Sequence, residues 1–521
     1  MRLRELWISK YKNIEDITIK FTDKLTTLLV GLNGYGKSNL LEAIVIIFRE
    51  LDLAEREKDL TSDTSPLFFD FTIEYTSKGN DVNIVAKNSE ILIKTRTTGE
   101  DSNYKEISFS IFKKLKDESF FPDFLIGYYS GENKRVQDLF KVHFDKRISN
   151  LKNLKKNDSV LGKLFFTEQN YGELIFFTLW VFKDTQKYGE KIKELFQEFI
   201  GIDFSSTVQI DICNPDFYKN HADQNAEDLF SNIQSRVKDP FWGITGDVDK
   251  LLQTLYNNNL ETSTPISFID EDFDPSKIIN EFVQFQHLNF KTLINDIKDD
   301  FDTPVKFFDI LQAADSIKII HKINTTIIKR GVAVTHDFRE LSEGEQQLLT
   351  TIGLLLIIGE FDALFLYDEP DTHLNPQWQR EYARLIHRFN LNEKNSQIIV
   401  STHSPLIVQA SETADLFLFR KEDNLVKVAN DEHRIKNWRI DQVLQSEYFE
   451  LENTRPPSLD EFMQQRESIL LKDVVTEGDI EELKKLDNTT GDLPTGETIN
   501  DFMTMHLLKQ VVKKLTEDDK N

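Results

Sequence analysis

The sequence predicts an α/β fold, and three stretches predict it. "LTTLLVGLNG" is an apolar strand pattern running into a glycine-rich turn, after which Leu40, Leu41, Ile44, Ile47 and Phe48 recur at helical spacing from Lys37 onward. "ALFLYDEP" is a second apolar strand and ends in two carboxylates, Asp368 and Glu369. "QIIVSTHSP" is a third, followed by His403. Strand ends on one edge of an α/β sheet gather around a ligand, so these three polar endings are expected to converge.

The elements read in order as follows. "LRELWISKYKNI" and "ITIKF" alternate apolar and polar residues and read as strands leading to the first glycine-rich turn. Between 70 and 130, "FDFTIEY", "DVNIVAK", "EILIKTR", "EISFSIF" and "PDFLIGYYSG" read as strands of an antiparallel region. From about 136 to 315 the texture is helical and rich in phenylalanine, without the heptads of a long coiled coil. "SIKIIHKI" and "GVAVTHDF" read as short strands before "LSEGEQQLLT", a helix start at 341–350. The expected organisation is therefore 1–135 and 316–430 as two lobes of one head, 136–315 as a helical insertion, and 431–521 as a helical C-terminal extension. In the extension, helices are expected near 458–472, 478–486 and 498–515, the last capped by Thr498 and Asp501.

Composition narrows the function classes. A net charge of −25 argues against coating nucleic acid with the whole surface, while permitting a local basic groove. Cys213 is the only cysteine, which excludes an intrachain disulfide and suits a reducing compartment. "MRLRELWISKYKNI" lacks the apolar core of a secretory signal, and "IGLLLIIG" is far short of the roughly 20 residues of a spanning helix. A soluble cytoplasmic protein without a membrane role is expected. No Cys/His cluster has zinc spacing, and "DEDFD" at 270–274 reads as a solvated acidic loop.

The chemistry lies in four motifs. "GLNGYGKS", 31–38, fits G-x-x-x-x-G-K-[ST] between a strand and a helix, the phosphate-binding loop. Gly31, Asn33, Gly34, Gly36, Lys37, Ser38 and Asn39 are its candidate ATP-binding residues; Lys37 would reach the β- and γ-phosphates and the Ser38 hydroxyl would ligate Mg²⁺. Asp368 is the metal-side carboxylate of the second strand end, and Glu369 is placed to polarise the attacking water. His403 is expected to meet the same phosphate. "LSEGEQQ" offers Ser342 and Gly344 at a helix tip, with Ser342 and Glu345 spaced as a capping box.

Together these stretches resemble an ABC-type ATPase head: "GLNGYGKSN" its Walker A, "LSEGEQQ" its signature, "LFLYDEP" its Walker B, "DTHLNP" its D-loop and "STHSP" its switch histidine. The spelling is similar to the SMC, RecF and OLD-like branch, whose N-terminal strand carries a basic residue and an asparagine near the nucleotide, here Lys12 and Asn13. The resemblance implies two ATP molecules sandwiched head to head between two copies, Ser342 and Gly344 of one reaching the γ-phosphate held by the other. A glutamine loop is not obvious; "FLIGYYSGENKRV" offers Gly131, Glu132 and Asn133, with Gln137 beyond.

The C-terminal pattern "WRIDQVLQS…TRPPS…LPTGET" is similar to tails of bacterial anti-phage ATPases, the Septu PtuA group and retron-associated relatives. That likeness implies oligomers beyond a dimer, a hexamer among them, and control of a separate HNH nuclease. The chain itself lacks the D-x-D pair of a fused Toprim nuclease after His403. Trp438, Tyr448 and Phe449 could anchor a partner or fold back. A basic strip, Lys134 to Lys156, is the candidate nucleic-acid contact, against the plainer reading of a solvated helix face. Two functions stand: an ATPase switch in a defence complex, or an autonomous RecF-type DNA-repair ATPase.

Overall fold

The computed structural model describes residues 1–490 apart from 62–66, 100–102, 132, 153–161, 169–170, 214–240, 242–243, 260–265, 269–279, 286–287, 332–333, 391–395, 424, 431–434, 436–437, 452–453, 455, 471 and 473–475. Along the chain the strands are β1 (Arg2–Tyr11), β2 (Ile14–Lys20), β3 (Thr26–Val30), β4 (Phe71–Ser77), β5 (Asn80–Lys87), β6 (Glu90–Thr97), β7 (Lys105–Ile107), β8 (Phe124–Tyr129), β9 (Leu164–Thr167), β10 (Ile202–Cys213), β11 (Ile266–Phe268), β12 (Asn280–Phe285), β13 (Ile320–Lys329), β14 (Thr335–Asp337), β15 (Ala363–Asp368), β16 (Ser396–Ser401), β17 (Asp415–Glu422) and β18 (Leu425–Asn430).

They form three sheets. The central one runs β18-β17-β3-β16-β15-β8-β9, parallel from β17 to β9, with β18 antiparallel at its edge. Every residue of β3, β15 and β16 is buried, which is why they contain unbroken apolar runs at 28–30, 363–367 and 398–400 rather than an alternating pattern. The second sheet, β2-β1-β4-β5-β6-β7, is antiparallel, and in β4 burial alternates residue by residue. Between the two lies the helix Lys37–Leu53: its Leu40, Leu41, Ile44, Ile47 and Phe48 share one core with Leu3, Ile8 and Ile73 on one side and Leu364, Leu366 and Ile399 on the other. That core fixes the helix, and with it the glycine-rich turn at its start.

Three expectations are corrected. The strand of "PDFLIGYYSG" belongs to the parallel sheet, Ala363–Asp368 pairing in register with Phe124–Tyr129. Of "EISFSIF" only Glu106 and Ile107 are strand, the end of β7; the Ser108 hydroxyl accepts from Ile111 N at 3.4 Å and starts the helix Phe109–Leu115. The segment 136–315 is not uniformly helical, because β10 runs antiparallel to β13 from Ile202↔Lys329 to Ile212↔Ile320. Segments on either side of residue 315 thus share the third sheet, β11-β12-β10-β13-β14.

Residues 1–438 form one compact unit and those from 439 a second. The second contains helices Asp460–Leu470 and Glu477–Thr490; Tyr448 is buried and Phe449 half-buried, as is Trp438 at the end of the first unit. The expected helix at 498–515 and the acidic run at 270–274 lie outside the described residues. No described helix is long and apolar enough to cross a membrane.

Candidate functional site

The 31–38 turn joins β3 to its helix with positive φ at Gly31, Gly34 and Gly36. Gly31 is constrained twice, by φ 141° and by the Phe419 carbonyl oxygen, which would lie 2.2 Å from any Cβ. Lys37 is buried and folds over the turn, donating to Gly31 O at 2.7 Å and Leu32 O at 3.2 Å and standing 2.9 Å from His403 Nε2. An ammonium donor makes that His403 nitrogen the acceptor. Burial lowers the Lys37 pKa to about 8, with Glu369, Asp368 and Asp371 pulling the other way. Asn33 is exposed at the rim. Asn13 Nδ2 donates to Gly34 O at 2.6 Å and its Oδ1 accepts from Asn39 Nδ2 at 2.6 Å, so the asparagine expected from the N-terminal strand does brace the turn.

The predicted partners converge. Asp368 ends β15, fully buried, and its Oδ1 accepts from Ser38 Oγ at 3.0 Å and from Ser401 Oγ. Burial raises its pKa against those two hydrogen bonds. Glu369 follows at φ 52°, its N–H donating to Ser401 O at 3.1 Å, and its Oε1 lies 3.4 Å from His403 Nε2. Burial first and Asp368 second raise the Glu369 pKa, moving the carboxylate toward the range of a general base. Burial, helped by Lys37, drops His403 to about 4, so the ring is neutral at pH 7. A helix N-terminus, a buried ammonium and two carboxylates that burial destabilises fit a polyanion carrying a hard cation, with Ser38 and Asp368 supplying oxygen ligands of the type Mg²⁺ takes.

The structure adds residues that the motifs did not single out. Ser401 holds both Asp368 and the backbone of Glu369. Asp371, raised to about 6 by burial, accepts from Thr402 Oγ1 at 3.0 Å. Ser130, just past β8, contacts Thr372 Oγ1 at 2.9 Å. Their common signal is position: each ends or follows a parallel strand at the edge where Asp368 and His403 sit. Gln137 is not with them, since its Nε2 donates to Glu168 Oε1 at 3.0 Å; Glu132 lies outside the described residues.

Ser342 stands apart from this cluster. It caps the helix Glu343–Ile358 with the expected capping box, its hydroxyl 2.9 Å from Glu345 Oε2 and its N–H 2.6 Å from the same oxygen. The residue is exposed. Gly344 is buried against the D-loop of its own chain, where the His373 carbonyl oxygen would be 2.4 Å from an added Cβ. Two more contacts tie that loop to the helix tip: His373 Nδ1 to Glu343 Oε2 at 3.0 Å and His373 N to Gln347 Oε1 at 3.1 Å.

The basic strip does not present one continuous face. Arg135 pairs with buried Glu42, and Arg147 with buried Asp309. Lys134, Lys141 and Lys146 are exposed, among the exposed Asp138 and Asp145. Lys155 and Lys156 lie outside the described residues.

A family model described as an AAA ATPase domain matches residues 1–408. The retron Ec83 probable ATPase of Escherichia coli is 23% identical, over 100% of this chain and 88% of its own length. The retron Vc95 probable ATPase of Vibrio cholerae serotype O1 biovar El Tor is 21% identical, over 82% and 75% respectively. The Septu protein PtuA of Bacillus thuringiensis is 26% identical over 35% of this chain and 46% of its own length. Among solved structures, the SMC head domain from Thermotoga maritima aligns with 83% of this chain and 100% of its own, at 14% identity and a TM-score of 0.32. The match to 1–408 takes in the glycine-rich turn, the Ser342 helix tip, both carboxylates and His403: the chain belongs to the AAA ATPase domain family and is an ATPase.

Proposed function

We propose that this ATPase is the nucleotide-driven switch of an anti-phage defence complex, in which two copies clasp each ATP head to head and the clasped state governs a separate nuclease. The defence assignment is supported by the retron and Septu relatives. The clasp is carried by one observation: Lys37, Ser38, Asp368, Glu369 and His403 meet at one sheet edge, while Ser342, at an exposed helix tip, is engaged with Glu345 of its own helix.

In this reading Lys37 exchanges the carbonyls of its own turn for phosphate oxygens. Ser38 and Asp368 hold the magnesium, which neutralises phosphate charge when bound. Glu369 accepts the proton of the attacking water, and neutral His403 keeps the acceptor nitrogen that holds Lys37 in line. The partner's helix tip then adds its N-terminal dipole and the Ser342 hydroxyl to the terminal phosphate. Each copy would be nearly inactive alone.

Mixing tests the clasp. Lys37→Ala and Ser342→Arg chains should each hydrolyse ATP poorly, yet an equimolar mixture should recover activity, because one of the two composite sites in a mixed pair is intact. A mixture no more active than its components, under conditions where the chains demonstrably associate, would reject the clasp. Copurification of a nuclease whose cleavage changes between Glu369→Gln and unaltered chains tests the switch.

A further inference from the structure

Glu42 lies one turn beyond Ser38 on the helix that follows the phosphate loop, with its side chain 1% exposed. A carboxylate so buried requires partners. It has three: the Tyr11 hydroxyl at 2.8 Å, the Lys12 ammonium and the Arg135 guanidinium. Two cations on one carboxylate leave a positive charge beside the turn that Asn13, the neighbour of Lys12, braces through Gly34.

Arg135 comes to this place from the other side of the site. It follows β8, whose last residue, Tyr129, is the register partner of Asp368, and Ser130 N approaches Asp368 O at 3.4 Å. Arg135 is thus paired with a carboxylate one helical turn along the same face as Ser38, whose hydroxyl donates to Asp368 at 3.0 Å. Its side chain is 45% exposed, and the ion pair with Glu42 runs through Nε. A guanidinium has five N–H donors, so its two terminal nitrogens can grip phosphate oxygens without releasing Glu42.

The far end of the same helix is anchored. Arg135 opens the helix Arg135–Lys152, its N–H capped by Asn133 Oδ1 at 2.9 Å. Arg147, roughly 18 Å along at 1.5 Å per residue, is paired with Asp309 and bonded to Gln312 of the helix Pro304–Ser316. The Arg135–Lys152 helix thereby joins the Glu42 ion pair at one end to the helix Pro304–Ser316 near the other.

We propose that Arg135 is a phosphate-contacting residue of the ATP site, holding the terminal phosphate between Glu42 and Asp368 and relaying its presence through the Arg135–Lys152 helix. The inference rests on the ATP site described above. The test measures ATP and ADP affinity and kcat of the full chain. Arg135→Ala should weaken ATP binding by about tenfold to a hundredfold, the worth of one charged hydrogen-bonding group, and leave ADP affinity within about twofold. Lys146→Ala, an exposed cation on the same helix, should change neither. Because Arg135→Ala leaves Glu42 short of one cation, the comparison is repeated in a Glu42→Gln background, where Arg135→Ala should still cost ATP selectively. Equal losses for ATP and ADP, or no further loss in the Glu42→Gln background, would show that Arg135 only neutralises Glu42 and would overturn the proposal. Lys37→Ala serves as the separate check on the site: if it leaves ATP binding intact, the site reading fails, whatever Arg135 does.

Discussion

Replacing Gly344 by alanine asks how tightly the signature helix tip must sit on the D-loop. The added Cβ would lie 2.4 Å from the His373 carbonyl oxygen. An ordinary carbon–oxygen contact is about 3.4 Å, so the tip and the loop must part by about 1 Å. Neither side is free to yield, since Ser342 and Glu345 lock the tip while Glu343 and Gln347 hold His373 at 3.0 and 3.1 Å. Alanine gains about 1 kcal/mol of helix propensity over glycine, whereas overpacking costs about 1–3 kcal/mol. The net effect on folding is small, at most about 2 kcal/mol. Catalysis is far more sensitive, because a 1 Å misplacement can cost about a hundredfold. Gly344→Ala should therefore fold and bind ATP with near-normal Kd, since Lys37 and Ser38 are untouched, while kcat at saturating ATP falls by about tenfold to a hundredfold. The assay pairs steady-state hydrolysis with equilibrium nucleotide binding and a thermal melt. A kcat equal to that of the unaltered chain would refute the idea that the tip's seat on His373 sets the geometry of hydrolysis.

Two further predictions concern charge. Glu369→Gln should retain ATP and lose about 10²- to 10⁴-fold in turnover, the usual contribution of a general base; single-turnover hydrolysis at the normal rate would remove Glu369 from that role. Lys37, lowered to about 8 in the free chain, regains a phosphate partner on binding, which raises its pKa again. Above pH 8 part of the free chain carries a neutral Lys37, so ATP binding must take up a proton and affinity must fall as pH rises. Calorimetry at pH 9 in buffers of different ionisation heat should register that uptake, and its absence would show that Lys37 is already charged in the free protein.

The site was easier to read in the sequence than the framework around it. Lys37, Ser38, Asp368, Glu369 and His403 are spelled out because each ends or follows a fully buried strand, and parallel strands deliver their ends to one edge. The same property misassigned β8: "FLIGYY" carries nothing to tell a strand of the parallel sheet from one of the hairpins before it, and only its pairing with Ala363–Asp368 decides. β10 escaped because its partner, β13, lies more than a hundred residues on, beyond any local periodicity. Glu42 and Arg135 were equally hidden, the first as one acidic residue on an apolar helix, the second as one basic residue in a run that looked solvated. Only the fold makes them neighbours.

The hydrogen bond from Ser38 to Asp368 spans 330 positions, and this has a consequence for the chain as it is made. At roughly 5–20 residues per second of synthesis, the nascent polypeptide carries its glycine-rich turn for about 15–65 s before the aspartate emerges. Throughout that interval β3 lacks both strands that flank it in the finished sheet, β16 and β17. The central sheet is therefore completed late in the life of each molecule, only when β15, β16 and β17 have been made, and a chain truncated within the intervening segment carries the glycine-rich turn without Asp368, Glu369 and His403 beside it.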